Sequence, residues 1–109
     1  SAANANLDGT GTIVTILTAG ANGTRVDRVV MKAIVTTTAG MIRLYVYDGT
    51  NTRLVREVTV EAITKSASVA AWEEDLLTPD LYLPTSSHQL RASTEKAEAI
   101  NIFAFGGNY

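Results

Sequence analysis

Met41-Ile42-Arg43-Leu44-Tyr45-Val46-Tyr47-Asp48-Gly49-Thr50-Asn51 decides the fold. Ile42, Leu44 and Val46 alternate with Arg43, Tyr45 and Tyr47, the two-residue period of a strand with one apolar face. Asp48-Gly49-Thr50-Asn51 then supplies hairpin-turn residues. The return runs from Arg53 to about Val60. Its apolar phase slips between Leu54 and Val55 and again at Val58 and Val60, so a bulge or a corner is expected there.

The same short-strand grammar extends in both directions. Thr12 to Thr18 is apolar on both faces and predicts a strand covered on both sides. Ala19 to Gly23 breaks it. Arg25 to Thr37 predicts a long strand with Val29, Met31, Ala33 and Val35 on one face; its β-branched density argues against a helix. Beyond the hairpin, Glu61 to Ser68 reads as a loop. Val69 to Leu77 reads as a strand anchored by Trp72. Thr78-Pro79-Asp80 makes a turn, followed by a short strand at Leu81-Tyr82-Leu83. Gln89 to Ser93 and Ala99 to Phe105 alternate again. The last strand places Ile100, Ile102 and Ala104 on one face and Asn101, Phe103 and Phe105 on the other, and Gly106 to Tyr109 reads as a tail.

About eight strands and no long helix predict an all-β fold, an antiparallel β-sandwich. A jelly roll, two sheets joined by Greek-key connections, is the expected order, and an immunoglobulin-like sandwich is the alternative. The sandwich is expected to be one domain over residues 12–109. Residues 1–11 are small and polar, lack periodicity, and read as a flexible N-terminal arm.

Composition narrows the function more than it names one. The chain has 109 residues, 46% of them hydrophobic and only 18% charged, which fits a single core and leaves a surface rich in Thr, Ser, Asn, Ala and Gly. Nine basic and eleven acidic residues give a net charge of −2, and the pI is about 5.2. That is not the basic footprint of a nucleic-acid binder. No apolar run reaches the roughly 20 residues of a membrane helix, and the N-terminus lacks the basic and apolar regions of a signal peptide. Zero cysteines exclude disulfides, thiolate catalysis and Cys-ligated zinc.

The remaining chemical candidates read as surface features. His88 is the only histidine and lies beside Ser86 and Ser87, with no nucleophile elbow near it. Glu73 and Asp75 share one strand face, but no aromatic cleft accompanies them as a glycosidase would require. Asp48-Gly49-Thr50-Asn51 lacks the distal Glu of a calcium loop. Asn22-Gly23-Thr24 matches a glycosylation sequon and reads as a Gly-rich turn. No catalytic residue, cofactor or metal is expected.

Arg43, Tyr45 and Tyr47 attract more interest, because Tyr and Arg are enriched at interface hot spots. Arg53, across the hairpin, extends that face, and Phe103 and Phe105 could form a second one. The alternative for all of them is packing along a sheet edge or under a loop.

Four stretches carry a family resemblance: Asn6 to Thr12 (NLDGTGT), Arg25 to Arg28 (RVDR), Leu44 to Asn51 (LYVYDGTN) and Ala92 to Glu98 (ASTEKAE). Together they resemble short virion proteins of tailed bacteriophages, and the chain is similar in size and pattern to small jelly-roll capsid decoration, or cement, proteins. The resemblance implies a non-enzymatic protein, made in the bacterial cytoplasm, that sits on the outer surface of the phage head and stabilises it. It further implies a homotrimer whose partner is the major capsid protein, with no role for nucleic acid or membrane. An arm reaching the shell would use Asn4, Asn6 and Leu7. A tail, baseplate or fibre-adaptor module and a carbohydrate-binding module are the alternatives.

Overall fold

In a computed structural model, residues 3–109 are described, without the side chains of 78–80. Seven strands form two antiparallel sheets. They are β1 (Val14–Thr18), β2 (Thr24–Ala33), β3 (Gly40–Tyr47), β4 (Thr52–Val60), β5 (Glu73–Leu83), β6 (Gln89–Thr94) and β7 (Ile100–Asn108). One sheet has the order β1-β6-β3-β4 and the other β5-β2-β7. No described residue is helical.

The two layers meet through the faces that the alternation marks. Val26, Val29, Met31 and Ala33 of β2 face Ile42 and Leu44 of β3, with Val58, Val60, Leu83, Leu90 and Ala92 completing the core. Trp72 is buried immediately before β5 rather than within a strand from Val69, and its carbonyl accepts from the Ala33 amide at 2.8 Å, so it anchors the start of β5.

Topology differs from the sequence expectation in one respect. β3 pairs with β4, β2 with β5 and β1 with β6, a nested antiparallel ribbon whose successive pairs alternate between the sheets. That winding resembles a jelly roll with one pair fewer, to which β7 is added beside β2. The eight-strand jelly-roll order is therefore not confirmed. The strand count has a simple origin. The expected strand at 69–77 begins only at Glu73, the expected turn at 78–80 is strand, and 73–77 and 81–83 are two segments of β5 that both pair with β2 across a register shift between Leu77 and Leu81. Counted as segments, they make the eight strands of the sequence reading.

Three local expectations are corrected. β1 is an edge strand, with Val14 57% exposed, rather than a strand covered on both sides. β2 stops at Ala33, and Thr37 bridges to Ile63 instead. The Gly106-Gly107 "tail" is strand: β7 continues to Asn108, paired with Thr24 to Val26. A Cβ on Gly106 would overlap the Arg25 carbonyl, so the glycine permits close backbone approach rather than ending the strand.

At the β3–β4 hairpin, Asp48 Oδ1 accepts from the amides of Asn51 (2.7 Å) and Thr50 (2.9 Å), while Gly49 takes φ +98°. These bonds, first from Asn51 and then from Thr50, hold the carboxyl below the ordinary aspartate value of 3.8. Its pKa falls on folding, so its contribution is present above that ordinary value and is lost as pH drops through the lower folded value. Carboxyl-detected NMR titration should place the Asp48 inflection below 3.8. The Thr50 and Asn51 amide shifts should follow the same inflection, and Asp48→Asn should abolish it while keeping the turn.

Candidate interaction surface

Packing two layers leaves two outer faces, and the chain treats them differently. On the four-stranded sheet the outward residues of β3 are Arg43, Tyr45 and Tyr47, as the alternation predicts. Of the two readings left open for these side chains, packing under a loop is what the structure shows for Arg43 and Tyr45. Tyr45 is 0% exposed. Its hydroxyl donates to the Asn6 carbonyl at 2.8 Å and accepts from Ser93 at 3.3 Å. Arg43 is also buried. Its guanidinium meets Glu57 at 3.1 Å and Glu95 at 4.0 Å, and donates to the Asn4 carbonyl at 3.5 Å. Neither residue is available as a free interface group.

The cover is the segment expected to be a flexible arm. Asn4 is 5% exposed and is tied on every side. Its amide donates to Thr94, which also places Ala3 in a parallel bridge with that residue. Its side-chain nitrogen donates to the carbonyls of Thr10 and Thr12, and its side-chain oxygen accepts from the Asn6 amide. Two glycines let the segment lie this close. Gly11, at φ +86°, would place a Cβ 2.8 Å from the Asn4 amide group; Gly9, at φ +84°, would place one 2.6 Å from the Thr52 carbonyl. A polar segment without periodicity still packs when one Asn satisfies backbone groups that burial would otherwise orphan. The expectation of a free arm is corrected for residues 3–11; Ser1 and Ala2 lie outside the described residues. Of the three residues assigned to reach a shell, Asn4 is buried, while Asn6 and Leu7 are exposed, the Asn6 carbonyl accepting from Tyr45 and its side chain donating to the Thr10 hydroxyl.

Tyr47 and Arg53 sit at the margin of this covered face. Tyr47 is half-buried under the Arg91 guanidinium, 3.8 Å from the ring centre, and Arg91 is held in turn by Gln89 and Thr52. Arg53 is exposed on β4.

The three-stranded sheet has no such cover among the described residues. Its outward rows follow from the register. Leu77, Arg28 and Phe105 form one row; Asp75, Val30 and Phe103 the next; Glu73, Lys32 and Asn101 the third. Leu77 is 71% exposed, Phe103 50% and Phe105 47%. Arg28 lies 4.8 Å above the Phe105 ring and 3.6 Å from Asp75, while Lys32 pairs with Glu73 at 3.1 Å. The result is an open aromatic and aliphatic surface, with its charges already paired within the sheet. The structure thus separates the predicted interface residues into two groups on opposite sides of the sandwich, one largely covered and one open. Sequence reading gave Leu77 and Arg28 no interface role, because alternation sets them opposite the core face without saying whether anything covers that side; their outward alternation with Leu76 and Val29 was the available signal.

Where the sheets part, between β1, β6 and β7, a groove of about 350 Å³ opens. Val14, Ile16, Ala92, Ile100, Ile102 and Phe103 supply its apolar lining. The Thr94 hydroxyl, also in its lining, is buried without a hydrogen-bond partner. The candidates for chemistry remain scattered. His88 Nδ1 lies 2.9 Å from the Thr85 hydroxyl within its own loop, and no cluster of three potential metal ligands occurs among the described residues.

If residues 3–11 are structural, Asn4→Ala should destabilise the domain by about 3 kcal/mol and Tyr45→Phe by about 1–2 kcal/mol, from lost bonds and orphaned carbonyls. Urea unfolding midpoints measure both; a wild-type midpoint for Asn4→Ala would restore the free arm. No protein-family model matches the chain, and comparison with curated proteins and with solved structures finds no match, so the phage resemblance rests on turns and strand edges alone.

Proposed function

We propose that the chain is a non-enzymatic structural protein of a tailed-phage virion that binds the outside of the assembled head and stabilises it. The contrast between the two outer faces carries this reading. One face is covered over Arg43 and Tyr45 by the chain's own residues 3–11. The other presents Leu77, Phe103 and Phe105 around Arg28, a composition suited to an interface centre. An open sheet face with exposed aromatics around an arginine fits a protein surface better than a small substrate, which needs a concave pocket.

Its charges support the same reading. Arg28–Asp75 and Lys32–Glu73 are paired before any partner arrives, so docking need not leave an isolated charge buried. Modest contacts suffice when a symmetric shell repeats them, because avidity multiplies weak interfaces. The resemblance supplies the identity of the shell, and the major capsid protein is the partner it names. In this reading the docking element is the open sheet face and not an arm.

The test mixes purified protein with undecorated heads of its phage and follows saturation and heat resistance. Wild-type protein should bind saturably and raise the temperature at which heads rupture. Arg28→Ala with Leu77→Ala should weaken binding by about 2 kcal/mol per subunit or more while leaving the fold intact by circular dichroism. Absence of head binding, or labelling of the tail instead, would overturn the assignment. Undiminished binding by the double variant would exclude this face.

A further inference from the structure

A two-layer sandwich has four free strand edges, and three of these are guarded. β5 carries Glu73, Glu74 and Asp75, and shifts register between Leu77 and Leu81. β4 carries Arg53, Arg56 and Glu57 and bulges at Val55, between the partners of Leu44 and Tyr45. β1 has only five residues and an irregularity between Thr15 and Leu17. Charges, proline, bulges and short length are the devices that keep natural edges from pairing.

β7 has none of them. Ile100-Asn101-Ile102-Phe103-Ala104-Phe105-Gly106-Gly107-Asn108 contains no charge and no proline. Its pairing with β2 shifts only because β2 inserts Asp27; β7 itself runs without an extra residue. This is a long, regular, neutral edge beside an open groove.

The geometry points to a second copy of this chain as the occupant of that edge. The two β7 strands pair antiparallel about a twofold axis at Ala104 and join the three-stranded sheets into one of six strands. The choice of occupant rests on self-complementarity. A twofold axis sets each residue against its mirror position, so a charged strand tends to bring like charges together near the axis. β7 brings none. Phe103 lies opposite the partner's Phe105 twice over, an aromatic cross-strand pair on the outer face. On the inner face Ile102 lies opposite the partner's Gly106, large against small, with Ala104 against its own copy. The partner's Gly106 to Asn108 then run past Ile100 to Ile102, along the groove edge. The pair also places two open outer faces side by side, doubling the Phe103/Phe105 surface. This goes beyond the head-binding reading and does not depend on it. It gives a dimer where the resemblance implies a trimer.

The test uses the whole chain without heads, so its outcome is separate from head binding. Light scattering after size exclusion should report twice the 11.6 kDa chain mass. Phe103→Glu with Phe105→Glu sets glutamates opposite glutamates and should raise the dimer dissociation constant roughly 100-fold. Phe103→Lys with Phe105→Glu sets opposite charges across the axis and should keep the dimer. Because the chain has no cysteine, mixing Phe103→Cys and Phe105→Cys chains under mild oxidation gives a register-specific readout. The mixture should crosslink. Neither chain alone should do so, since diagonal positions lie about 7–8 Å apart. A monomer or a trimer by light scattering, or crosslinking by either single variant alone, would overturn the proposal.

Discussion

Packing two sheets face to face hides two apolar faces and leaves two others, and every later choice in this chain follows from how those two are handled. A 109-residue domain has little material to spare for covering layers. It spends one segment, residues 3–11, on the four-stranded sheet. The pin is Asn4. Its side chain bonds residues 6, 10 and 12 and its amide bonds β6, so a loop without hydrophobic character becomes an ordered lid. Under that lid Tyr45 and Arg43 are buried with their polar atoms partnered, the condition on which burial of such groups depends.

Much of the fold was legible in the sequence because strand burial has a two-residue period. Ile42, Leu44, Met31 and Val29 announce the core by alternation alone, and Asp48-Gly49 announces the hairpin by turn chemistry. What alternation cannot report is which outward residues meet a third layer. Tyr45 and Phe103 occupy equivalent outward positions in their strands, yet one is sealed and the other half exposed. The difference lies in Asn4, tens of residues from either, and in two glycines whose positive φ allows the lid to fit. Strand order was illegible for a related reason. β3–β4 is the only sequence-adjacent pair that is hydrogen bonded, so all other pairings are long-range and carry no local signature.

The two glycine pairs show how one residue type carries opposite meanings. Gly9 and Gly11 are turn residues, and both adopt positive φ. Gly106 and Gly107 invite the same reading and do not deserve it. They lie in regular strand, where Gly106 admits the Arg25 carbonyl and Gly107 stacks under the Arg25 guanidinium. Glycine after an alternating run signals either a break or a close approach, and only the partner strand decides between them.

Edge chemistry adds a constraint independent of the faces. An exposed strand edge offers unpaired amides and carbonyls to any extended backbone, so a protein that keeps one neutral and regular accepts a standing risk of association. The distribution of charge makes the contrast internal to this chain. The acids Glu73, Glu74 and Asp75 of β5 and the arginines of β4 guard the far side of the sandwich, while β7 and the groove beside it share the other side with short, irregular β1. The same side carries Phe103 and the exposed Val14. Guarding and exposure are thus segregated across one small domain. Uniform protection would be the simpler solution for a chain that acts alone, whereas segregation gives a surface with one direction in which another strand can add.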